Sequence, residues 1–318
     1  MTPSRNSTGL SGILALDKPQ GMTSHDVVGT VRRLTGERRV GHAGTLDPLA
    51  TGLLLVCVGP ATRLADYLMT GTKTYEARVC FGAQTTTDDQ EGEILFAAEL
   101  PQQLEDAAFA AQTLREMCGR FEQVPPAFSA IKKQGVTAYK AARAGKPLEL
   151  EPRPVELYDA LILEAGKDFW DVRLTVSKGF YVRSFARDLG RALGSAAHLG
   201  ALRRTASGCV TIEQSCELAN LPEQQLGQLP FLDPVIALGY PMIEVDSREA
   251  QSVQNGRPLA LTACSRAAQT VVSQTGVRNN LISVVSRNRF LALYKPVGSS
   301  GLFQPEVVIS AGIDRLSI

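Results

Sequence analysis

Apolar and polar residues recur along this chain with two periods, about 2 and about 3.6 residues, and these periods predict most of its elements. "GILALDKPQGMTS" begins as a short strand at Gly12 and ends in a Lys18-Pro19 turn. Ser24 is placed as the N-cap of a helix through "HDVVGTVRRLTG", which Gly36 closes. Leu53 to Val58 reads as a fully buried strand, being short, apolar and partly β-branched. Thr62 can cap a short helix through "RLADYLM". "KTYEARVCFG" alternates like a strand, with Tyr75, Ala77 and Val79 on one face. "AQTTTDDQEGEI" is a polar loop whose side chains can bond their own backbone. A helix is predicted from Leu104 to Cys118, and a Pro/Gly-interrupted excursion from Gln123 to Pro147. "RPVELYDALIL" and "FWDVRLTV" are two further strands, the second turning at Lys178-Gly179 into a helix that starts near Ser184. Gly208 to Gln214 is predicted as another strand. Beyond it the pattern changes to short strands and turns, as in "NGRPL" and "SVVSRNRFLALYKPVG", which marks a boundary near residue 238.

Composition narrows the class. The chain has 318 residues, enough for two domains, with 44% apolar and 20% charged residues, ordinary for a soluble globular protein. No apolar run reaches the length of a membrane span. The opening "MTPSRNSTGLSG" lacks the hydrophobic segment of a signal peptide, and residues 1–11 read as a flexible tail. Cys57, Cys80, Cys118, Cys209, Cys216 and Cys264 show no CxxC spacing and no nearby histidine partners, so no zinc site is expected. Cys57 and Cys80 fall in apolar strand patterns and read as small core residues. A reduced, cytoplasmic setting fits this usage. Net charge is only +1, but its distribution is uneven. Asp88 to Glu122 holds nine acidic and two basic residues, −7 in all. Lys132 to Arg153 holds six basic and two acidic, +4, and Lys178 to Arg204 six basic and one acidic, +5. Two basic segments point to a surface for a polyanion, although an ordinary enzyme also carries such blocks as solvated faces.

Candidate chemistry concentrates in "RVGHAGTLDPLATGLLLVCVG", from Arg39 to Gly59. Gly41, Gly44 and Gly52 permit backbone turns that other residues resist, and Pro48 stiffens the chain after Asp47. A tight loop carrying His42 and Asp47 is thus attached to a rigid strand, as functional groups often are. From the loop alone, a turn whose Asp caps its own backbone is an equal alternative.

Several stretches then occur in order: "GHAGTLDPLATGLL", "TYEARVCFGAQTTTDDQEGEI", "QVPPAFSAIK", "SKGFYVRSFARDLG" and "LRRTASG". Together they resemble the TruB-type tRNA pseudouridine-55 synthases over roughly residues 12 to 215, and it is the joint occurrence that is specific. The resemblance implies an enzyme that isomerises uridine 55 in the T-loop of tRNA, by base flipping and by cleavage and re-formation of the glycosidic bond. No cofactor and no metal are expected. By resemblance Asp47 is the catalytic carboxylate, acting either as nucleophile at the sugar or as base toward C2′. Arg183 matches the arginine that pairs with that carboxylate; on its own it would read as a strand-end arginine with a solvated head. Tyr75 matches the residue that stacks on the target base, and Tyr181 a second pocket tyrosine able to relay the proton leaving C5. Leu202 matches an apolar wall of the pocket. His42 matches the histidine that occupies or borders the space left by the flipped base. Lys18 resembles a lysine near the same cleft. The Gln123–Pro147 excursion resembles an RNA-clamping segment, with Lys132, Lys133, Lys140 and Arg143 toward phosphates.

The fold class implied is α+β: a mixed, largely antiparallel sheet flanked by helices, followed by a small β-rich domain. Residues 12–238 form the catalytic domain, with 123–147 as its insertion, and 239–318 a small domain of PUA-like kind. "TACSRAAQTVVSQTGVRNN" departs from the PUA pattern. The expected partner is the T-arm of tRNA, and the expected species a monomer without membrane attachment. The alternative is a non-catalytic tRNA binder or folding helper on the same scaffold; binding alone has no need of a carboxylate facing the sugar. A carboxylate-based glycoside hydrolase would require a second catalytic acid, for which the sequence offers no clear place.

Overall fold

A computed structural model describes residues 8–133, 135–221, 229–260, 281–298 and 301–315. Residues 1–7 of the expected tail and residues 261–280, which hold the whole of the stretch that departs from the PUA pattern, lie outside them. The chain divides into two units, one of Met1–Gly71 with Ala206–Ile318, the other Thr72–Thr205.

The first unit begins with strand β1 (Gly12–Lys18), helix α1 (Ser24–Thr35) and strands β2 (Val40–His42) and β3 (Thr51–Val58). β3 pairs antiparallel with β1, from Gly12↔Val58 to Lys18↔Gly52, and with β2, from Val40↔Val58 to His42↔Val56. Leu53 to Val58 is wholly buried, as its unbroken apolar run requires. Helix α1 starts one residue earlier than predicted: Thr23 is the N-cap, in a reciprocal capping box with Asp26. Ser24 is unavailable for capping because its hydroxyl is engaged by Leu46. Gly36, at φ 65, closes the helix as expected. Thr62 is not a cap either. It lies inside a 3₁₀ turn over Gly59–Leu64, started by Pro60, with its hydroxyl donating to the Gly59 carbonyl. Helix α2 (Ala65–Leu68) follows.

The second unit opens with β4 (Lys73–Phe81) and the hairpin β5 (Ala83–Thr85) with β6 (Ile94–Ala97). Helix α3 (Ala107–Glu116), β7 (Gly119–Gln123), β8 (Lys132–Lys133), β9 (Val136–Thr137) and α4 (Ala138–Arg143) come next. β10 (Arg153–Ala165), β11 (Phe169–Val176), α5 (Val182–Ala192) and β12 (Ala197–Ser207) complete it. β4, β11, β10 and β7 pair antiparallel in that order. One face of this ladder buries Ala77, Val79, Phe81, Val172 and Leu174 around Trp170. The Trp170 indole donates to the Leu104 carbonyl at 2.8 Å, so its one polar group is satisfied while the ring fills the core. The other face is polar: Arg78 forks onto Asp171 at 2.8 and 2.6 Å, and Arg173 pairs with Glu76. The strand β12 is not predicted from the sequence. Gly200 and the pair Arg203-Arg204 interrupt its apolar pattern. Gly200 is needed there, since a Cβ would lie 2.5 Å from the Cys80 sulfur. Cys80 is accordingly half-buried beside β12 rather than a core residue, whereas Cys57 is fully buried as expected.

The chain then returns to the first unit, where Ala206 and Ser207 pair with β13 (Val210–Thr211). Only these two residues of the predicted 208–214 strand are extended; Ile212–Gln214 is a 3₁₀ turn. β14 (Cys216–Glu217), β15 (Phe231–Leu232), α6 (Pro234–Leu238) and β16 (Met242–Glu244) lead to α7 (Ser247–Gln254) and β17 (Leu259–Ala260). β18 (Ile282–Ser286), β19 (Arg289–Pro296) and β20 (Leu302–Asp314) end it. The order β16-β18-β19-β20-β17 forms the β-rich C-terminal part that the sequence predicts. One apolar core joins the two ends of the chain: Ile13, Leu53, Leu55 and Cys57 pack with Val210, Leu238, Phe290 and Ile309. Gly71, last residue of the N-terminal stretch, lies so close to Gly208 that a Cβ on it would be 2.7 Å from the Gly208 Cα.

Candidate active site

In the first unit the Asp47 loop is held on both sides of its carboxylate residue. Gly44 and Gly52 take φ of 104 and 98, where only glycine is unstrained. Gly41 does not: its φ is not positive and a Cβ would meet nothing within 4 Å, so the expectation that it turns the chain is corrected. Before Asp47, the Leu46 amide donates to Ser24 Oγ at 2.8 Å and the Ser24 hydroxyl donates back to the Leu46 carbonyl at 3.1 Å. After it, the Pro48 carbonyl accepts from the Gly21 amide at 2.8 Å and from Lys18 Nζ at 3.4 Å. Lys18 is wholly buried, and its ammonium also donates to the carbonyls of Pro19 at 2.9 Å and Met22 at 2.7 Å. These bonds make it a brace for the loop. The Ala50 amide donates to the Asp47 carbonyl at 3.1 Å, closing the turn through the main chain. Leu46, Leu49 and Ala50 are buried while Asp47 itself stays half-buried. His42 ends β2, half-buried, and the next residue is tied to β3 by the Ala43 amide on the Leu55 carbonyl at 2.8 Å.

In the second unit, Tyr75 sits half-buried on β4, opposite Leu174 of β11. Tyr181 is the N-cap residue of α5. The side-chain amide of buried Gln123 grips its backbone from both ends: Tyr181 N donates to Oε1 at 2.8 Å, and Nε2 donates to the Tyr181 carbonyl at 3.1 Å. Arg183 lies in the first turn of α5 and is only 6% exposed, so its head is not solvated. Nη1 donates to the Thr87 carbonyl at 3.2 Å and to Asp89 Oδ2 at 3.4 Å, and Nη2 to the Phe128 carbonyl at 2.9 Å. One turn on, Arg187 pairs with Asp88 at 2.9 Å. Asp88 and Asp89 are in turn fixed to β12, where the Leu199 amide donates to the Asp88 carbonyl at 3.0 Å. Leu202, half-buried, is three residues further along that strand.

This arrangement revises the charge pattern. Three of the six basic residues between Lys178 and Arg204, namely Arg183, Arg187 and Arg204, are buried, and acidic Asp88 and Asp89 compensate the first two. Half of that segment's basic residues are therefore internal, while Lys178 and Arg191 remain exposed. Burial pushes the Asp88 carboxyl upward, opposed by Arg187. Burial also pulls the Lys73 ammonium down to about 8, with Arg204 and Lys178 adding to the effect. In the excursion, Lys132, Lys133, Lys140 and Arg143 are exposed. Lys133 is partly engaged by the Glu149 carbonyl at 2.8 Å and Glu151 at 3.4 Å, and Arg143 lies 5.6 Å over the Tyr139 ring. The sequence marks Ser24 only as a helix cap and gives Asp88, Asp89, Gln123 and Arg187 no role at the site. Only the "DD" within the polar loop offered a signal. Among the described residues no group of three His, Cys, Asp or Glu side chains could hold a metal ion.

Residues 32–182 match the family described as TruB family pseudouridylate synthase (N terminal domain), and residues 183–236 the tRNA pseudouridylate synthase B C-terminal domain. A curated relative from Thermobifida fusca, tRNA pseudouridine synthase B, is 45% identical over 257 residues, covering 78% of this chain and 86% of its own. The chain belongs to the TruB family of pseudouridylate synthases. It is an isomerase that acts on RNA. A relative of the same name from Acaryochloris marina is 41% identical over 307 residues, 94% of this chain and 99% of that one. The fold agrees with solved structures. A Cbf5-Nop10-Gar1 complex matches with a TM-score of 0.68 at 24% identity, over 91% of this chain and 79% of that one. An H/ACA RNP bound to a substrate RNA containing 2'-deoxyuridine matches at 0.67 and 23%, over 93% and 84%. This is the α+β pseudouridine synthase fold that the sequence implies. No helix among the described residues is long and apolar enough to cross a membrane.

Proposed function

We propose that the enzyme converts uridine 55 in the T-loop of tRNA to pseudouridine, with Asp47 as the reacting carboxylate. The relatives' name, tRNA pseudouridine synthase B, supports tRNA as the substrate class. The observation that carries the role of Asp47 is its loop: both neighbouring residues are anchored by bonds from Ser24, Gly21 and Lys18, while Asp47 stays half-buried. Such rigidity orients a reacting group and would be wasted on a solvated turn.

In the isomerisation the N1–C1′ bond breaks, the detached uracil turns over, C5 bonds to C1′, and the C5 proton leaves as N1 gains one. Two courses are open to Asp47, attack at C1′ or removal of a proton from C2′, and both use the carboxylate form. Tyr75 stacks on the base, Leu202 walls the pocket, and Tyr181 relays the proton from C5. Arg183 keeps the reacting carboxylate ionised, and its three acceptors fix the direction of its fork. His42 takes the space vacated by the flipped base. Lys132, Lys133, Lys140 and Arg143 meet RNA phosphates, and the shape of the T-loop supplies recognition. A monomer acts on the T-arm, in the cytoplasm. The deciding experiment incubates the purified protein with an unmodified tRNA transcript and maps pseudouridine by chemical probing. Product at position 55 is expected. Product elsewhere, or none, overturns the assignment.

A further inference from the structure

Arg187 has no role in the isomerisation proposed above, yet it is 7% exposed and each nitrogen of its fork donates a hydrogen bond. Its Nη1 donates to Asp88 Oδ2 and its Nη2 to the Val124 carbonyl, both at 2.9 Å, while Nε donates to Asp188 Oδ1 at 2.9 Å. A buried ion pair pays a desolvation cost that apolar side chains of similar size avoid, so stability does not account for it. Direction does. Asp88 is a fixed point: its φ is 59, its Oδ1 accepts from Gln84 at 3.1 Å, and its carbonyl accepts from Leu199. The planar fork of Arg187 carries that fixity to Val124, the second residue of the 123–147 excursion. The Val124 carbonyl accepts from Ser184 Oγ as well, at 2.8 Å. Ser184 and Arg187 thus hold one carbonyl at the foot of the excursion, and Arg183, on the same helix, holds the Phe128 carbonyl four residues further on.

We propose that Arg187, set in place by Asp88, is a positioning residue that fixes the foot of the excursion at Val124 and thereby governs how readily the enzyme captures tRNA. It rests on the assignment of the excursion as the RNA-contacting segment. The local geometry is a hinge that has been pinned: the exposed lysines lie beyond it, at Lys132, Lys133 and Lys140. Loosening the pin lets the lysines wander, which costs affinity before it costs chemistry.

The test is Arg187→Lys, which keeps a charge facing Asp88 but lacks a fork that can reach Asp88 and the Val124 carbonyl together. KM for a tRNA transcript should rise about tenfold, as for one lost charge-assisted hydrogen bond, while the single-turnover rate at saturating tRNA stays within about threefold. Amide hydrogen exchange in peptides covering residues 121–130 should quicken in the free enzyme. Ser184→Ala removes the other bond to the same carbonyl and leaves the ion pair whole. It should move KM and exchange the same way by a smaller factor, and it decides the matter if Arg187→Lys fails to fold. Unchanged KM with unchanged exchange overturns the proposal. So does a fall in single-turnover rate with KM unchanged, which would put Arg187 in the chemistry. A variant with Lys132, Lys133 and Lys140 all changed to Ala, measured alongside, separates the two levels. If its tRNA affinity is normal, the assignment of the excursion fails. If its affinity falls while Arg187→Lys binds normally, only the role of Arg187 fails.

Discussion

Asp47 has its neighbours anchored on either side, so its side chain can be changed without releasing the loop. Asp47→Asn should therefore abolish isomerisation while tRNA binding stays within about tenfold of wild type, because the amide keeps the shape and loses the charge and basicity. Pseudouridine release assays and filter binding check the two halves, and near-normal turnover would remove Asp47 from the chemistry. Lys73 makes a different prediction. Burial draws its ammonium from the usual 10.5 to about 8. Between those values the unfolded chain holds a proton that the folded protein has shed, so stability at this residue rises as pH climbs from about 8 to 10.5. Below about 8 both states are protonated and the pH dependence disappears. The melting-temperature difference between wild type and Lys73→Met should accordingly be flat up to pH 8 and then shift in favour of wild type. A difference that does not vary with pH would mean that Lys73 titrates normally. Single residues also mark what a sequence conceals. Gly41, Gly44 and Gly52 look alike in the chain, yet only the latter two adopt positive φ, since that depends on backbone paths the chain must close in space.

Elements with local causes were legible, and those with distant causes were not. Gly36 closes helix α1, and the buried apolar strand lies within β3, because a cap and an unbroken apolar run act within a few residues. Strand β12 was missed because Gly200 and Arg204 answer to packing from elsewhere in the fold. Helix α5 was expected, but its two buried arginines were not. Their partners Asp88 and Asp89 are 99 and 94 residues away, and pairing at that separation leaves no periodic trace. The candidate residues Asp47, Tyr75 and Arg183 were named from motif resemblance, whereas the groups that hold them, Ser24 and Asp89, were not. The excursion carries the prediction that belongs to this scale. Its lysines at 132, 133 and 140 are exposed, and among its described residues after Gln123 two strands of two residues each and one short helix are the only regular elements. Changing Lys132, Lys133 and Lys140 to Ala should weaken tRNA binding and flatten its dependence on salt, because fewer counterions are released. A salt titration of affinity reads this, and an unchanged slope would rule the segment out as a phosphate clamp.

At the scale of the molecule, the first unit is assembled from both ends of the chain, with Thr72–Thr205 as an intervening block. Gly71 and Gly208 mark where the chain leaves and re-enters, and their backbones nearly touch. Gly71→Ala should destabilise the protein by about 1–3 kcal/mol, as overpacking against backbone does, and thermal unfolding would show it. A neutral effect would mean that the crossing can open. The interleaving also has a consequence in time. On the ribosome, Ile13, Leu53, Leu55 and Cys57 emerge first, but their core partners Val210, Leu238 and Phe290 emerge only after the whole intervening block. At ribosomal speed that wait is on the order of ten seconds. The block itself is contiguous in sequence. The first unit therefore waits for the far end of the chain, and β1 and β3, whose apolar residues precede their core partners, are the segments that nascent-chain chaperones would be required to shield.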